Sequence, residues 1–260
     1  MRVKIVIFTA NETRHLAFID YLSKHSEIKI LRSYIEKRKI LKDHKIKTPL
    51  KKYFNIRNTN EKKYFPRANL KKKKYYNYGY ISTDKCYKEI IKLKPNLIIV
   101  YGSSILQGKI LKKFKKKILN VHLGLSPYYR GSGTNVFPII NNEPEYVGVT
   151  FMYLNQGVDT GEIIHQIRPD ICVEDSIHDI GNKLILKMFS YYKKLILNYK
   201  KIKLQKKIYS KKNYYYMQKD FNEIILKRLK KCFKKGVIKD YLKNKNRRDK
   251  KVTLTTQRWI

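Results

Sequence analysis

The stretch that most constrains this chain is Asn96-Leu97-Ile98-Ile99-Val100-Tyr101-Gly102, which follows Pro95 and is apolar without a break from Leu97 to Tyr101. A strand with one wet face alternates polar and apolar residues, so an unbroken run suits a central parallel strand buried on both sides. A second β-rich run, Val3 to Phe8, breaks at Thr9-Ala10-Asn11-Glu12-Thr13. It leads into Arg14 to Lys24, where Leu16, Ile19 and Leu22 recur at helical spacing. Ile28 to Ile35 reads as a strand, Thr83 to Leu93 as a helix, Ile105 to Phe114 as a helix and Lys117 to His122 as a strand. Strands alternating with helices predict an α/β fold: an open, doubly wound, mostly parallel sheet with helices on both faces.

Further along, Val147 to Leu154 and Glu162 to Ile171 are strand candidates flanking Gly157-Val158-Asp159-Thr160-Gly161. Ser176 to Tyr199 reads as a long helix with Ser176 as N-cap and Ile180, Leu184, Met188 and Tyr192 four residues apart. Two segments stand outside this pattern. Glu36 to Lys74 is rich in Lys and Asn with few apolar clusters, and reads as a charged, loosely structured insertion with room for short helices. Residues 201–260 carry Tyr214-Tyr215-Tyr216, a helical stretch around Glu223 to Phe233, and Gly236 before another short helix. They read as a small, basic, mainly helical C-terminal extension to a catalytic domain over residues 1–200.

Sixty Lys and Arg against 20 Asp and Glu give a net charge of +40, the footprint of a binder of nucleic acid or anionic membrane. The cations are mostly Lys spread along the chain with abundant Ile, Asn and Tyr, a mixture that a strongly AT-biased genome also produces, and both readings stay open. Cys86, Cys172 and Cys232 are odd in number and widely spaced, without the Cys/His clustering of a zinc site, so reduced thiols and no metal are expected. No apolar run approaches the ~20 residues of a membrane span, and the N-terminal apolar run is too short for a signal peptide. The expectation is a soluble cytoplasmic protein with no membrane partner, and an oligomer is left open.

Chemistry concentrates in Asn120-Val121-His122-Leu123-Gly124-Leu125-Ser126-Pro127-Tyr128-Tyr129-Arg130-Gly131, where a buried strand gives way to a Pro/Gly loop. Open α/β sheets place ligands at such strand ends. Alternation puts Asn120 and His122 on one side, where amide and imidazole can stabilise an oxyanion and the ring can exchange a proton near neutral pH. The pair taken alone is equally a structural hydrogen-bonding pair. Asp159, framed by Gly157 and Gly161, is an acid in a tight loop that permits close ligand approach, or else a turn residue capping backbone amides. Arg14 and His15 begin the first helix, where a phosphate is favoured, though a solvated helix end fits equally. His25, His44, His165 and His178 have no constellation around them and are read as structural or exposed.

In combination, Asn120-x-His122, Leu125-Ser126-Pro127 with Arg130-Gly131, and Gly157-x-Asp159-x-Gly161 resemble the folate-dependent formyltransferase family, over roughly residues 1 to 200 and most specifically between Leu97 and Ile164. The resemblance implies transfer of a formyl group from the co-substrate 10-formyltetrahydrofolate to a primary amine, without a metal. It implies Asn120, His122 and Asp159 as catalytic residues, and backbone groups of Ser104, Ile105, Leu106, Gly157 and Val158 around the pterin. Asn11, Arg14 and Arg130 are the acceptor-binding candidates. Tyr128 to Asn135 and Lys219-Asp220-Phe221 are similar to the branch that formylates amino sugars on nucleotide carriers. Transfer-RNA enzymes of the family carry a C-terminal β-barrel that the last ~60 residues could hardly build. An amino sugar is therefore the leading acceptor, with methionyl-tRNA and glycinamide ribonucleotide as alternatives. Outside the transferases stand a hydrolase releasing formate and a non-catalytic nucleic-acid binder on a decayed scaffold.

Overall fold

The computed structural model of the chain describes residues 2–38, 48–65, 68 and 73–260. Seven strands form one sheet: β1 (Val3–Ala10), β2 (Ile28–Glu36), β3 (Tyr75–Tyr76), β4 (Leu97–Tyr101), β5 (Ile118–His122), β7 (Val149–Tyr153) and β8 (Ile163–Ile167), in the order β3-β2-β1-β4-β5-β7-β8. The first five run parallel, and β7 and β8 pair antiparallel at the far side. Strand order reverses between β1 and β4, so the carboxyl ends of these central strands open a crevice.

Alternation along the strands builds a core on each face. Ile5, Ile7 and Ile99 pack against Phe18 and Leu22 of α1 (Thr13–Ser23) and Leu184, Met188 and Tyr192 of α6 (Ile177–Leu197). Val6, Phe8, Ile98 and Val100 pack on the other side against Cys86 and Ile90 of α3 (Asp84–Leu93) and Ile110 of α4 (Lys109–Lys113). Ser176 caps α6 through a reciprocal capping box with Asp179. The open, doubly wound, mostly parallel sheet with a helical C-terminal part is thus observed as expected.

Three readings need correction. The Lys-rich insertion holds α2 (Thr48–Tyr64), a 17-residue helix and not a loosely structured segment with short helices. Its docking mixes aromatic contacts of Tyr53 with His178 and Phe221 and polar ones, without an apolar stripe to announce it: Asn60 Nδ2 and Tyr64 Oη donate to Asp179 Oδ1 at 2.9 and 3.0 Å, and Asn182 Nδ2 donates to Asn60 Oδ1 at 2.7 Å. The helix expected from Ile105 begins only at Lys109, because residues 102–108 form a loop tied by Ser104 to Glu36 and by the Gln107 N–H to Ser82 Oγ. The third concerns a strand that crosses between segments. β6 (Tyr129–Gly131), in the Pro/Gly loop, pairs in parallel with β9 (Tyr214–Tyr216) of the extension.

The extension continues with α7 (Glu223–Lys234), α8 (Val237–Lys243) and α9 (Lys245–Asp249), while α5 (Phe137–Ile140) lies beneath α7. The chain then returns to the sheet. Thr255 C=O accepts from the Gln166 N–H at 2.8 Å, and the Gln257 N–H donates to His165 Nδ1 at 2.9 Å, so these residues cover the outer edge of β8. His44 and parts of the insertion lie outside the described residues.

Candidate active site

β5 ends the run of parallel strands and presents Asn120 and His122 on one face. His122 is buried between two acceptors: Nδ1 lies 3.2 Å from Asp159 Oδ2, and Nε2 lies 3.2 Å from the carbonyl oxygen of Tyr129. Asp159 is brought there by the loop between β7 and β8, which folds over the sheet face. Its backbone is left-handed at φ +53°, a conformation Asp tolerates better than most residues. The same Oδ2 accepts from the Gly131 N–H at 3.1 Å. Both ring nitrogens thus lie within hydrogen-bond range of an oxygen. Gly124 lies so near the ring that a Cβ there would strike His122 Nε2.

A cleft of about 930 Å³ opens beside Asp159, within the span of about 300–1,000 Å³ usual for small-molecule sites. Leu111, Leu154 and Ile163 give it apolar wall, Gly157 to Gly161 give it backbone, and Leu204 to Ser210 of the extension form the opposite side. Arg130 also lines it, its Nε donating to Asn213 Oδ1 at 3.1 Å and its guanidinium lying over the Tyr215 ring. A cleft of this size and mixed lining suits a small molecule with polar and apolar parts.

The structure therefore brings together His122, Asp159, Arg130 and Gly157. Val158 is exposed on the same loop, and Asn120 lies one strand turn below His122 with no side-chain hydrogen bond among the described residues. Ser104, Ile105 and Leu106 sit elsewhere, at the end of β4, and do not line this cleft. The Ser104 N–H and Oγ donate to Glu36 at 2.8 and 3.1 Å. Ile105 is exposed and Leu106 buried in the core. Asn11 Oδ1 accepts from the Arg38 N–H at 3.2 Å at the end of β1.

Arg14 is not at a solvated helix end. It is buried and paired with Glu12 and Glu61, each at 2.5 Å, in a cluster that also holds Arg38 and Arg57. Burial and these three cations push His15 well below the ordinary imidazole range and keep it neutral. Burial likewise lowers Arg57, with Arg14 adding repulsion.

Two residues that brace the site were missed. Glu36 is a fully buried carboxylate that shapes the loop after β4, and its place at the end of an apolar strand was the available signal. Asn155 Oδ1 accepts from the Gly157 N–H at 3.1 Å and from Thr160 Oγ1 at 3.0 Å, so it folds the Asp159 loop on itself. Asn two residues before a glycine is an Asx-turn signal. Among the described residues no three His, Cys, Asp or Glu side chains converge as metal ligands, and no helix is long and apolar enough to cross a membrane.

Fold and site define an open α/β protein whose acid–imidazole pair stands at the carboxyl end of a central strand, with the acid bordering a ligand-sized cleft. The profile of the formyl transferase family matches residues 39–192, and the chain belongs to that family. A methionyl-tRNA formyltransferase of Finegoldia magna is 32% identical over 123 residues, 46% of this chain and 39% of the relative, so the match spans about two fifths of that protein's length. The crystal structure of an N-formyltransferase from Helicobacter canadensis shares the fold with a TM-score of 0.55 at 21% identity, over 89% of this chain and 80% of its own. Phosphoribosylglycinamide formyltransferase of Anaplasma phagocytophilum has a TM-score of 0.54 at 17% identity, over 84% and 100%.

Proposed function

We propose that the chain transfers the formyl group of 10-formyltetrahydrofolate to the primary amine of an amino sugar carried on a nucleotide, with Asn120, His122 and Asp159 as the catalytic residues. One observation carries the reading: His122 and Asp159, 37 residues apart in sequence, meet at 3.2 Å, and Asp159 borders a cleft of small-molecule size. The donor supplies an activated formyl carbon. The amine forms a C–N bond to it, the bond to the folate nitrogen breaks, and one amine proton passes to that nitrogen, leaving a formamide and tetrahydrofolate.

This chain's residues act on the charge and the proton. Asp159 holds the ring through Nδ1 and leaves Nε2 as the proton-exchanging atom. At rest it points to the Tyr129 carbonyl oxygen at 3.2 Å, a long contact that is exchangeable for a developing oxyanion. The Asn120 amide is the second oxyanion donor. The Asp159 loop borders the donor, and Asn155 and Glu36 brace the two loops from within. Substitution at these braces therefore disturbs binding more than side-chain changes at Val158 or Ile105. Arg130 faces the acceptor, and Asn11 and Arg14 frame the crevice at the end of β1.

The amino-sugar acceptor is supported by the similarity of Tyr128 to Asn135 and of Lys219-Asp220-Phe221 to the branch that formylates amino sugars. The Helicobacter canadensis structure was determined with folinic acid and dTDP-3-aminofucose. Methionyl-tRNA is the second reading, favoured by the curated relatives. The test is tetrahydrofolate release by the purified protein, followed spectrophotometrically with no acceptor and then with amino-sugar nucleotides, glycinamide ribonucleotide and methionyl-tRNA in turn. Release that requires an amino-sugar nucleotide is expected; release without an acceptor indicates a hydrolase and overturns the proposal. His122→Ala and Asp159→Asn are each expected to lower turnover on the order of a hundredfold or more, with unchanged circular dichroism. Asn tolerates the left-handed backbone at position 159, so that variant removes charge without adding strain.

A further inference from the structure

β6 touches both members of the His–Asp pair. The Tyr129 carbonyl faces His122 Nε2, and the Gly131 N–H donates to Asp159 Oδ2. Three residues of strand cannot hold such a position alone, since even a complete two-stranded hairpin is marginal in water. The sheet partner of β6 is β9, paired as Tyr129 with Tyr214, Arg130 with Tyr215 and Gly131 with Tyr216. Backbone bonds at each end, Tyr214 N–H to Tyr128 C=O and Ser132 N–H to Tyr216 C=O, both 2.8 Å, close the ribbon.

Side chains then fix the ribbon to the body. The Tyr216 ring stacks on Phe137 at 3.7 Å with an interplanar angle of 1°. Asn141 Nδ2 bridges the hydroxyls of Tyr129 and Tyr216 at 3.1 and 3.3 Å. Tyr129 Oη donates to Glu143 Oε2 at 2.5 Å, and Lys212, two residues before β9, pairs with the same carboxylate. The strands approach so closely that a Cβ at position 131 would strike the Tyr216 carbonyl oxygen.

We propose that β9 is a positioning element of the catalytic centre, with Tyr216 and Lys212 as positioning residues that hold the two β6 backbone groups orienting His122 and Asp159. The extension is thereby part of the reaction site although none of these residues touches the reacting atoms. This rests on the reading of His122 and Asp159 as catalytic, and the test separates the two.

The experiment compares Tyr216→Ala, Tyr216→Phe and Lys212→Met in the full chain, reading kcat, KM for donor and acceptor, and the imidazole ¹H–¹⁵N correlations of His122. Tyr216→Ala is expected to lower kcat about tenfold to a hundredfold with KM changed less than about threefold, the signature of misplacement and not of lost binding. It also shifts the His122 correlations, and Tyr216→Phe, which keeps the stack, recovers most of both effects. If Tyr216→Ala does not fold, Lys212→Met is expected to move the His122 correlations in a protein with wild-type circular dichroism. Unmoved correlations in folded Tyr216→Ala, or in folded Lys212→Met where Tyr216→Ala fails to fold, overturn the proposal. The correlations decide it even if the wild-type protein transfers no formyl group, an outcome that sinks only the proposed activity.

Discussion

Among the imidazoles, environment separates His122 from the rest. His165 and His178 are buried and driven down to about 4 by desolvation, with a neighbouring cation adding repulsion at each, Lys194 and Arg57 respectively. His165 accepts from the Gln257 N–H through Nδ1, a bond that protonation removes. A folded-state value below the unfolded one means stability that is complete above about pH 6.5 and is lost as the pH falls toward about 4. Each ring accounts for on the order of 2 kcal/mol of that loss. We expect the urea midpoint to fall between pH 7 and pH 4, and His165→Gln, which keeps an acceptor without a titrating group, to flatten that fall. At this scale the sequence was legible where spacing carries information. Asn120 and His122 share a face because strands alternate, and Asp159 stood out between glycines. Glu36 stood out less, because a carboxylate at a strand end acquires its meaning from Ser104, 68 residues along the chain, whereas Asn155 acts on its own loop and its signal was local.

Elements with an apolar period were readable to within a residue or two, as α1, α3, α6 and α7 show. α6 has the clearest sequence signature: Ser176 and Asp179 cap each other's backbone amides. Ser176→Ala is expected to cost about 1 kcal/mol, seen as a lower thermal midpoint with activity retained. Asp179 also anchors α2 through Asn60 and Tyr64, and against the opposing effect of burial the hydrogen bonds from Ser176, Asn60 and Tyr64 hold its carboxyl well below the usual range. Asp179→Ala therefore loosens two helices at once, and its cost should exceed that of Ser176→Ala. α2 and the β6–β9 ribbon escaped the sequence reading for one reason. Both owe their form to partners over 70 residues distant, polar and aromatic ones for α2 and backbone and aromatic ones for β9, and neither carries a period of its own.

Over the whole molecule the +40 charge invites a nucleic-acid reading, and the cleft provides a check. Six of its 26 lining residues are Lys or Arg, the same proportion as 60 in 260 for the chain, and two are acidic, matching 20 in 260. The cleft is no more basic than the protein at large, so it adds no preference of its own to that of the whole surface. With a nucleotide-sugar acceptor, the logarithm of kcat/KM should fall with log salt at a slope near −1 to −2. A transfer-RNA acceptor making about 6–10 phosphate contacts would lose about 10³–10⁵ between 50 and 200 mM salt, and so steep a dependence would move the acceptor assignment to RNA.

The return of Thr255 to Gln257 onto β8 has a further consequence during synthesis. Ninety residues separate Ile167, the last of β8, from Gln257, which helps to cover its edge. At about 5–20 residues per second, the nascent sheet waits roughly 5 to 18 s with that edge bare. Bare edges on neighbouring ribosomes are templates for pairing with one another. Mutual repulsion between strongly cationic nascent chains opposes that pairing.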